Sequence, residues 1–562
     1  MSITAVPWWA SSFVYQIYPR SFRDADGDGI GDLKGITQGL DYLQALGVDM
    51  LWLSPIYKSP NDDNGYDVSD YCDIMDEFGT MADFDELVAE AKKRGIKLIL
   101  DVVLNHSSDE HPWFQSARQS KDSPYRDYYI WREGKNGEVP NNWPAFFGGS
   151  AWEYNEATGD YYLHLFSKKQ PDLNWDNPQL RQEIYRTMRF WLDKGIGGFR
   201  IDVLPFFSKR SDLPDIITAP GEDPTAAMMR TYADGPHLHE YLQEMHREVL
   251  SKYDCYTVGE GPGVYTDTAL MYIAPERREL DTIYYFDHMS LDYDFLTGQH
   301  KALDKVAFKK VLSEWDQKVG QTAWNTFYLS NHDQPRPLSR FGSEKPEFRS
   351  IAAKMLAVLL FTQRAIPYLY QGDEIGMSNR TIRDISEVND IAGHNVYRQQ
   401  KARGVPEQDI LAGLSRGSRD HARYPFQWSD APHAGFTQGP ETWLKVNENY
   451  PEVNAAAAQK DPDSIWHWYK KLIRLRKSTP AWITGAYQDI DPEHPHIWAY
   501  TRTHEKERWL ILLNWSEKTI RYSVPESAGV LAGKTPVLSN YGKRKAKNNE
   551  VRLRPFEARL YK

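Results

Sequence analysis

Cysteine is nearly absent: Cys72 and Cys255 are the two in 562 residues. A chain of this length cannot rest on a disulfide framework built from two thiols, so the reading is two reduced thiols in a cytoplasmic protein. Long apolar runs are missing as well. The longest core-like stretch, Met355 to Thr362, falls far short of the roughly 20 residues that span a bilayer. No basic segment precedes the apolar residues of the N-terminus, so a cleaved leader is not expected. Positive charge is the minority sign: 67 Lys and Arg stand against 78 Asp and Glu, a net charge of −11. That balance gives no support for nucleic acid or an anionic membrane as the main partner. Aromatics, in contrast, are abundant, with 19 Trp, 34 Tyr and 22 Phe. Such rings stack on sugars, but they also fill ordinary cores. The length allows one large domain with attachments.

Short β-rich runs alternate with longer amphipathic stretches. Phe13–Tyr18, Met50–Leu53, Lys97–Leu104, Gly198–Val203, Tyr256–Gly259, Thr282–Phe286, Thr326–Leu329 and Ile366–Tyr370 read as buried strands. Between or after them, Phe84–Arg94, Pro178–Lys194, His237–Lys252, Phe348–Phe361 and Asp463–Lys477 read as helices. This alternation predicts an α/β fold with parallel strands, and eight runs fit a closed (β/α)8 TIM barrel better than the alternative doubly wound open sheet. Ser107 to Asn177 is too long for a plain loop and reads as an inserted subdomain after the third strand. A second irregular stretch is expected from about Gly372 to Asp461. After Pro492 the short alternating segments predict a C-terminal antiparallel β domain. The expected units are residues 1–106 and 178–491 for the barrel, 107–177 for the inserted subdomain and 492–562 for a C-terminal β-sandwich.

Ionisable residues gather at the C-terminal ends of these strands: Asp101-Val102-Val103-Leu104-Asn105-His106 after the third, Arg200-Ile201-Asp202-Val203 on the fourth, Val258-Gly259-Glu260 on the fifth and Asn331-His332-Asp333-Gln334-Pro335-Arg336 after the seventh. In a barrel these ends meet at one mouth, where active sites sit. A lone carboxylate at a strand end is more often a helix cap. Asp202, Glu260 and Asp333 gathered at one mouth with two histidines and an arginine make that reading weaker.

With these four blocks in order and spacing, the sequence resembles the α-amylase superfamily of glycoside hydrolases. Specifically, it looks like the branch holding oligo-1,6-glucosidase, dextran glucosidase, α-glucosidase, trehalose-6-phosphate hydrolase and sucrose isomerase. Val14-Tyr15-Gln16-Ile17-Tyr18-Pro19, Ser59 to Asp67, Gln371-Gly372-Asp373-Glu374 and Pro425-Phe426-Gln427-Trp428 extend the match over nearly the whole chain. The resemblance implies that Asp202 is the nucleophile, Glu260 the general acid/base, and Asp333 a third catalytic carboxylate that binds sugar hydroxyls and holds the ring distorted. It implies that His106 and His332 hydrogen-bond the sugar, with Asp63, Tyr66 and Arg423 as recognition residues and Gln170, Phe147 and Phe166 lining the pocket. Chemistry asks for the same pairing, because a retaining glycosidase needs one ionised carboxylate and one protonated carboxyl roughly 5 Å apart. Arg200, two residues before Asp202 on one strand, points to the same face. It is expected to keep Asp202 ionised while burial and neighbouring carboxylates raise the pKa of Glu260.

The turn Asp24-Ala25-Asp26-Gly27-Asp28-Gly29-Ile30-Gly31-Asp32 is a separate signal. Its oxygen ligands fall at positions one, three, five and nine of an EF-hand-like loop, with Gly at six, but position twelve is Gly35 instead of the bidentate Glu. On spacing alone the turn is as readily a solvated acidic loop. The resemblance implies a structural Ca2+ or Mg2+ held by Asp24, Asp26, Asp28, Asp32 and the Ile30 carbonyl, with no organic cofactor.

Within the branch, Val203 after the nucleophile is the residue usual in enzymes acting on α-1,6 links, where α-1,4-preferring relatives carry Thr. The expectation is exo-hydrolysis of α-1,6 links in short oligosaccharides such as isomaltose or isomaltulose, by a monomer. The arginine-rich stretch of sucrose isomerases is replaced here by Ser290-Leu291-Asp292-Tyr293-Asp294, so isomerisation is disfavoured. Trehalose-6-phosphate hydrolase shares the Val203 pattern but would need a basic phosphate pocket. The non-catalytic transporter partners of this fold are membrane-anchored and lack the catalytic carboxylates, unlike this chain. Gly261-Pro262-Gly263 after Glu260, and Tyr424 after Arg423, depart from the pattern on the aglycone side.

Overall fold

Eight short strands, buried along almost their whole length, run parallel: β1 (Val14–Ile17), β2 (Met50–Leu53), β3 (Lys97–Val102), β4 (Gly198–Ile201), β5 (Tyr256–Gly261), β6 (Thr282–Tyr285), β7 (Thr326–Tyr328) and β8 (Ile366–Tyr370). The computed structural model describes residues 6–294 and 299–562. Hydrogen-bonded order is β6-β5-β4-β3-β2-β1-β8-β7. The two end strands pack side by side, and side chains bridge their seam: Thr326 Oγ1 donates to the Ile283 carbonyl at 3.0 Å and Tyr328 OH to the Tyr285 carbonyl at 2.9 Å. The result is the (β/α)8 barrel expected, closed over that seam by side chains where a backbone ladder would otherwise run. Gly198 shows how tight the wall is. A Cβ there would lie 1.8 Å from the Tyr256 carbonyl oxygen, at φ +146°, so only glycine lets β4 approach β5.

The outer helices include α1 (Leu33–Leu46), α2 (Met81–Lys93), α3 (Pro178–Asp193), α4 (Leu238–Glu248) and α5 (Pro346–Thr362). Their starts follow the local chemistry. Thr80 and Asp83 form a capping box on α2, and the Asn177 side chain caps α3 ahead of Pro178. On α3, Leu180, Ile184, Met188 and Trp191 bury one stripe against the barrel. Helix α5 is buried continuously from Ala352 to Thr362, which accounts for the longest apolar run in the sequence. Among the described residues no helix is long and apolar enough to cross a membrane.

Three expectations change in detail. Residues 107–177 hold a three-stranded antiparallel sheet (Trp131–Arg132, Asp160–Leu163, Trp152–Asn155), but this insertion does not close on itself. Its Ile130, Trp143, Trp152 and Leu163 share a core with Phe206, Met228 and Tyr232 from the segment after β4. The stretch from Gly372 to Asp461, read as irregular, contains α6 (Ile391–Ala402) and α7 (Glu407–Gly417), packed around Ile382, Val388, Tyr397, Ile410 and Leu414. Finally, α8 (Ile465–Lys477) leads to a C-terminal sheet that begins ahead of position 492. Its strands are β9 (Ala486–Asp489), β10 (Ile497–His504), β11 (Glu507–Asn514), β13 (Leu538–Ser539) and β15 (Ala558–Tyr561), in the order β9-β10-β11-β15-β13. A small second sheet pairs β12 (Ile520–Ser523) with β14 (Glu550–Leu553). Alternation splits β10 between two cores: Trp498 and Tyr500 join the barrel's, and Ile497 and Ala499 join the sandwich's.

Candidate active site

The strand C-termini open into a cavity of about 1250 Å³. Asp202, Glu260 and Asp333 line it, with Asp63, Tyr66, His106, Phe147 and Phe166. Arg200, His332, Gln170 and Arg423 stand behind that surface, each at most 1% exposed. The insertion and the α6–α7 pair meet above the cavity, where the Asn395 amide donates to the Phe147 carbonyl.

At the floor, three carboxylates share one guanidinium. Asp101 on β3 is the register partner of Arg200 on β4. Arg200 Nη1 donates to Asp101 Oδ1 at 2.8 Å and to Asp202 Oδ1 at 2.5 Å, and its Nη2 lies 2.6 Å from Glu260 Oε1. Asp101 Oδ2 accepts from Tyr66 OH at 2.8 Å and from Trp52 Nε1 at 3.2 Å. Glu260 Oε2 accepts the Val203 N–H at 3.0 Å. Val203 makes that bond from φ 34°, ψ 41°, a left-handed conformation that costs a β-branched residue strain. Burial pushes the Asp202 carboxyl well above the usual carboxylate range, with Arg200 opposing the shift and the Glu260 and Asp101 carboxylates adding to it. Burial likewise raises Asp101, to about 6. Among the described residues, Asp202 Oδ2 alone of these carboxylate oxygens faces neither a cation nor a donor. The sequence reading expected Arg200 to keep Asp202 ionised; in this geometry burial outweighs that pull and raises the Asp202 carboxyl.

Asp333 follows β7 and is held by cations. Arg423 Nη2 donates to its Oδ1 at 2.8 Å and Arg419 Nη1 at 3.2 Å, while His332 Nε2 lies 3.3 Å from Oδ2. Burial opposes ionisation there, but His332, Arg419 and Arg423 outweigh it and keep the carboxyl well below the usual range. Arg419, absent from the sequence reading, also reaches Asp63 Oδ1 at 3.2 Å and Asp390 Oδ1 at 2.5 Å, and lies 5.3 Å from the Phe147 ring centroid. It lines the cavity, whereas the expected recognition residue Arg423 sits behind Asp333. Asp63 takes a further bond from Gln170 Nε2 at 3.2 Å. Burial raises its pKa to about 7 against the pull of Arg419 and Arg423.

Both histidines are neutral. Burial lowers His106 to about 4 and His332 to about 3. His106 Nε2 lies 3.1 Å from the Tyr66 carbonyl, its Nδ1 is 3.2 Å from Asn105 Nδ2, and its ring packs against Phe166. Asn105 is tied in turn to a buried pair, Lys209 Nζ to Asp172 Oδ2 at 2.6 Å, with Lys209 also donating to Asn105 Oδ1 at 2.9 Å. Sequence reasoning missed Lys209 and Asp172, neither of which lines the cavity; it quoted Asp101 and Asn105 without giving them a role.

The acidic turn lies away from this cavity. Asp24, Asp26 and Asp28 bring ligand oxygens within 4.8 Å of one another, an all-oxygen set suited to a hard cation. Asp32 stands outside that group. Its oxygens accept the N–H of Gly35, capping α1, and that of Ala25, each at 2.7 Å. Ile30 contributes its N–H to Asp28 Oδ1 at 2.7 Å. Burial and the neighbouring carboxylates raise Asp28, as they do wherever like charges are brought together.

Residues 16–485 match the model of the α-amylase catalytic domain, and residues 497–559 that of the α-amylase SusG C-terminal domain. An oligo-1,6-glucosidase from Parageobacillus thermoglucosidasius is 51% identical, over 99% of each chain. A trehalose-6-phosphate hydrolase from Bacillus subtilis (strain 168) is 43% identical, over 100% of this chain and 99% of its own. Among solved structures, the trehalulose synthase MutB from Pseudomonas mesoacidophila MX-45 superposes with a TM-score of 0.95 at 44% identity, covering 99% of each chain.

Proposed function

We propose, from the premise that this chain belongs to the α-amylase family of glycoside hydrolases, that it is a retaining, exo-acting α-glucosidase. Its substrates are short oligosaccharides with α-1,6 links, of the isomaltose and isomaltulose kind. The observation that carries the reading is the pairing of Asp202 and Glu260 on adjacent strands, tied through one guanidinium at the floor of the cavity. Oligo-1,6-glucosidases at about half identity over the full length support the choice of linkage, as does Val203 beside the nucleophile.

In this reading Asp202 Oδ2 attacks the anomeric carbon as the glycosidic C–O bond breaks, and Glu260 gives its proton to the leaving oxygen. Water then attacks the glucosyl–Asp202 ester, with the Glu260 carboxylate taking its proton. Developing positive charge on the sugar favours the ionised form of Asp202 just when the nucleophile needs it. Asp333, kept ionised by its cations, binds sugar hydroxyls alongside Asp63 and Arg419. Asp24, Asp26 and Asp28 would hold a structural Ca2+ or Mg2+ remote from the chemistry. We place the protein in the cytoplasm as a monomer, on the strength of its reduced thiols and small-molecule substrate.

A second reading, cleavage of a phosphorylated disaccharide, has one feature in its favour. Lys301 and Arg416 line the far side of the cavity, and neither pairs with a carboxylate among the described residues. Product analysis on isomaltose, isomaltulose, maltose, sucrose and trehalose 6-phosphate separates the readings. Glucose released mainly from the α-1,6-linked sugars is expected; cleavage confined to the phosphorylated sugar would transfer the assignment to the second reading.

A further inference from the structure

Gln16 belongs to β1 and is 1% exposed, out of reach of any sugar in the cavity. Its Nε2 lies 2.8 Å from His332 Nδ1 and donates to Ser54 Oγ at 3.1 Å. On the opposite edge of the imidazole, Nε2 lies 2.7 Å from Tyr66 OH and 3.3 Å from Asp333 Oδ2. Tyr66 OH is also 2.8 Å from Asp101 Oδ2. An ionised carboxylate can only accept, so the single Tyr66 proton goes to Asp101. The Tyr66 oxygen must then accept from His332, which puts the imidazole proton on Nε2. Asp333 imposes the same choice, since a bare nitrogen facing its carboxylate would be repelled. Nδ1 is therefore the bare nitrogen and needs a donor, which Gln16 supplies. The reverse amide orientation would place an oxygen against that lone pair. The orientation adopted leaves Gln16 Oε1 buried with no partner, a cost the fold accepts to keep the donor on His332.

We propose that Gln16 is a positioning residue: its amide N–H, by occupying Nδ1, holds His332 neutral with the proton on Nε2, fixing the hydrogen-bonded chain His332–Tyr66–Asp101 and leaving Asp333 Oδ2 unclaimed by an imidazolium and open to the sugar. Burial favours the neutral ring, and the charges around it act in both directions. Asp333 would stabilise an imidazolium, while Arg200, Arg419 and Arg423 oppose one. The stacked Tyr66 ring and the edge-on Trp52 ring leave little space for the ring to turn. An imidazolium here would hold Asp333 as an ion pair and compete with sugar hydroxyls for its oxygens. The rate readout of this proposal rests on the glycosidase reading; the nitrogen spectrum does not.

The test uses full-length protein labelled at the histidine ring nitrogens, with His332→Asn to assign the signal. The wild type is expected to show Nδ1 bare and Nε2 protonated, unchanged across neutral pH. A proton on Nδ1 would overturn the proposal whatever the substrate. Gln16→Met removes the donor without adding an acceptor, and kcat/KM is expected to fall about tenfold with no new ionisation. Gln16→Glu sets an acceptor against Nδ1. The ring should then gain a second proton, and the acid limb of kcat/KM, which in the wild type follows Asp63, should move to higher pH. If Gln16→Glu kept the wild-type pH profile, or Gln16→Met the wild-type kcat/KM, Gln16 would be packing alone and the proposal would fail.

Discussion

Arg419 is the most informative residue to remove. Its side chain, 17% exposed, bridges Asp63, Asp333 and Asp390. Truncating one partner of a buried charge pair costs about 3–5 kcal/mol when the other charge is left uncompensated. Part of that cost is avoidable here, because Asp63 already titrates at about 7 and can take up a proton. For Arg419→Met we therefore expect a loss of about 2–4 kcal/mol in transition-state binding, roughly 30- to 1000-fold in kcat/KM. The pH profile carries a second, independent expectation. In the proposed reading Asp63 accepts from the sugar when ionised, so activity is expected to rise with pH through its titration. Arg419 is the largest influence opposing the burial of Asp63, and without it the acid limb moves to higher pH. Arg423→Met is the control: it also strips a cation from Asp333 but leaves Arg419 on Asp63, so its limb moves less. The assay is kcat/KM on isomaltose from about pH 5 to about pH 9. Arg419→Met activity within about threefold of wild type, or an unmoved acid limb, would refute the assignment.

Asp202→Asn should abolish turnover by about a thousandfold or more while circular dichroism and the melting transition stay close to wild type; substantial residual hydrolysis would remove Asp202 from its role. Val203→Thr should move the isomaltose-to-maltose ratio of kcat/KM towards maltose by about tenfold, and an unchanged ratio would mean that linkage is read elsewhere on the aglycone side. Calcium at about a hundred times its dissociation constant should stabilise the fold by about 2.7 kcal/mol, read as a raised Tm that Asp26→Ala abolishes. A Tm indifferent to both calcium and chelator would leave the acidic turn a solvated loop.

The barrel was legible because parallel strands buried on both faces are written as unbroken apolar runs. Met50–Leu53 and Ile366–Tyr370 coincide with their strands residue for residue. What escaped was structure that depends on few residues or on distant ones. Helices α6 and α7 bury little beyond Tyr397, Ile410 and Leu414, too sparse a stripe to stand out from the polar residues around it. The seam between β6 and β7 is made by the side chains of Thr326 and Tyr328, which no periodicity announces. Site residues at strand ends could be named because chemistry constrains their type and spacing. Arg419 and Arg423 illustrate the limit. They lie four positions apart around one short helix, and only the tertiary fold decides which faces the cavity.

Which oxygen of the carboxylate cluster is left without a donor was beyond reach of the sequence for a related reason. Among the described residues it is Asp202 Oδ2, the atom that attacks in the proposed reading. Both oxygens of Glu260 are engaged, one by Arg200 and the other by the Val203 N–H. To protonate a leaving group, Glu260 must turn its proton towards the sugar while these contacts compete for the same oxygens, so in the proposed reading a productive substrate weakens at least one of them. Val203 is then more than a wall beside the aglycone. Its left-handed backbone aims an N–H at the acid, so in the proposed reading a change at this position would act on proton delivery as well as fit. Val203→Thr should therefore alter the pH dependence of kcat/KM along with the linkage ratio. A changed ratio with an unaltered pH profile would confine Val203 to the aglycone wall.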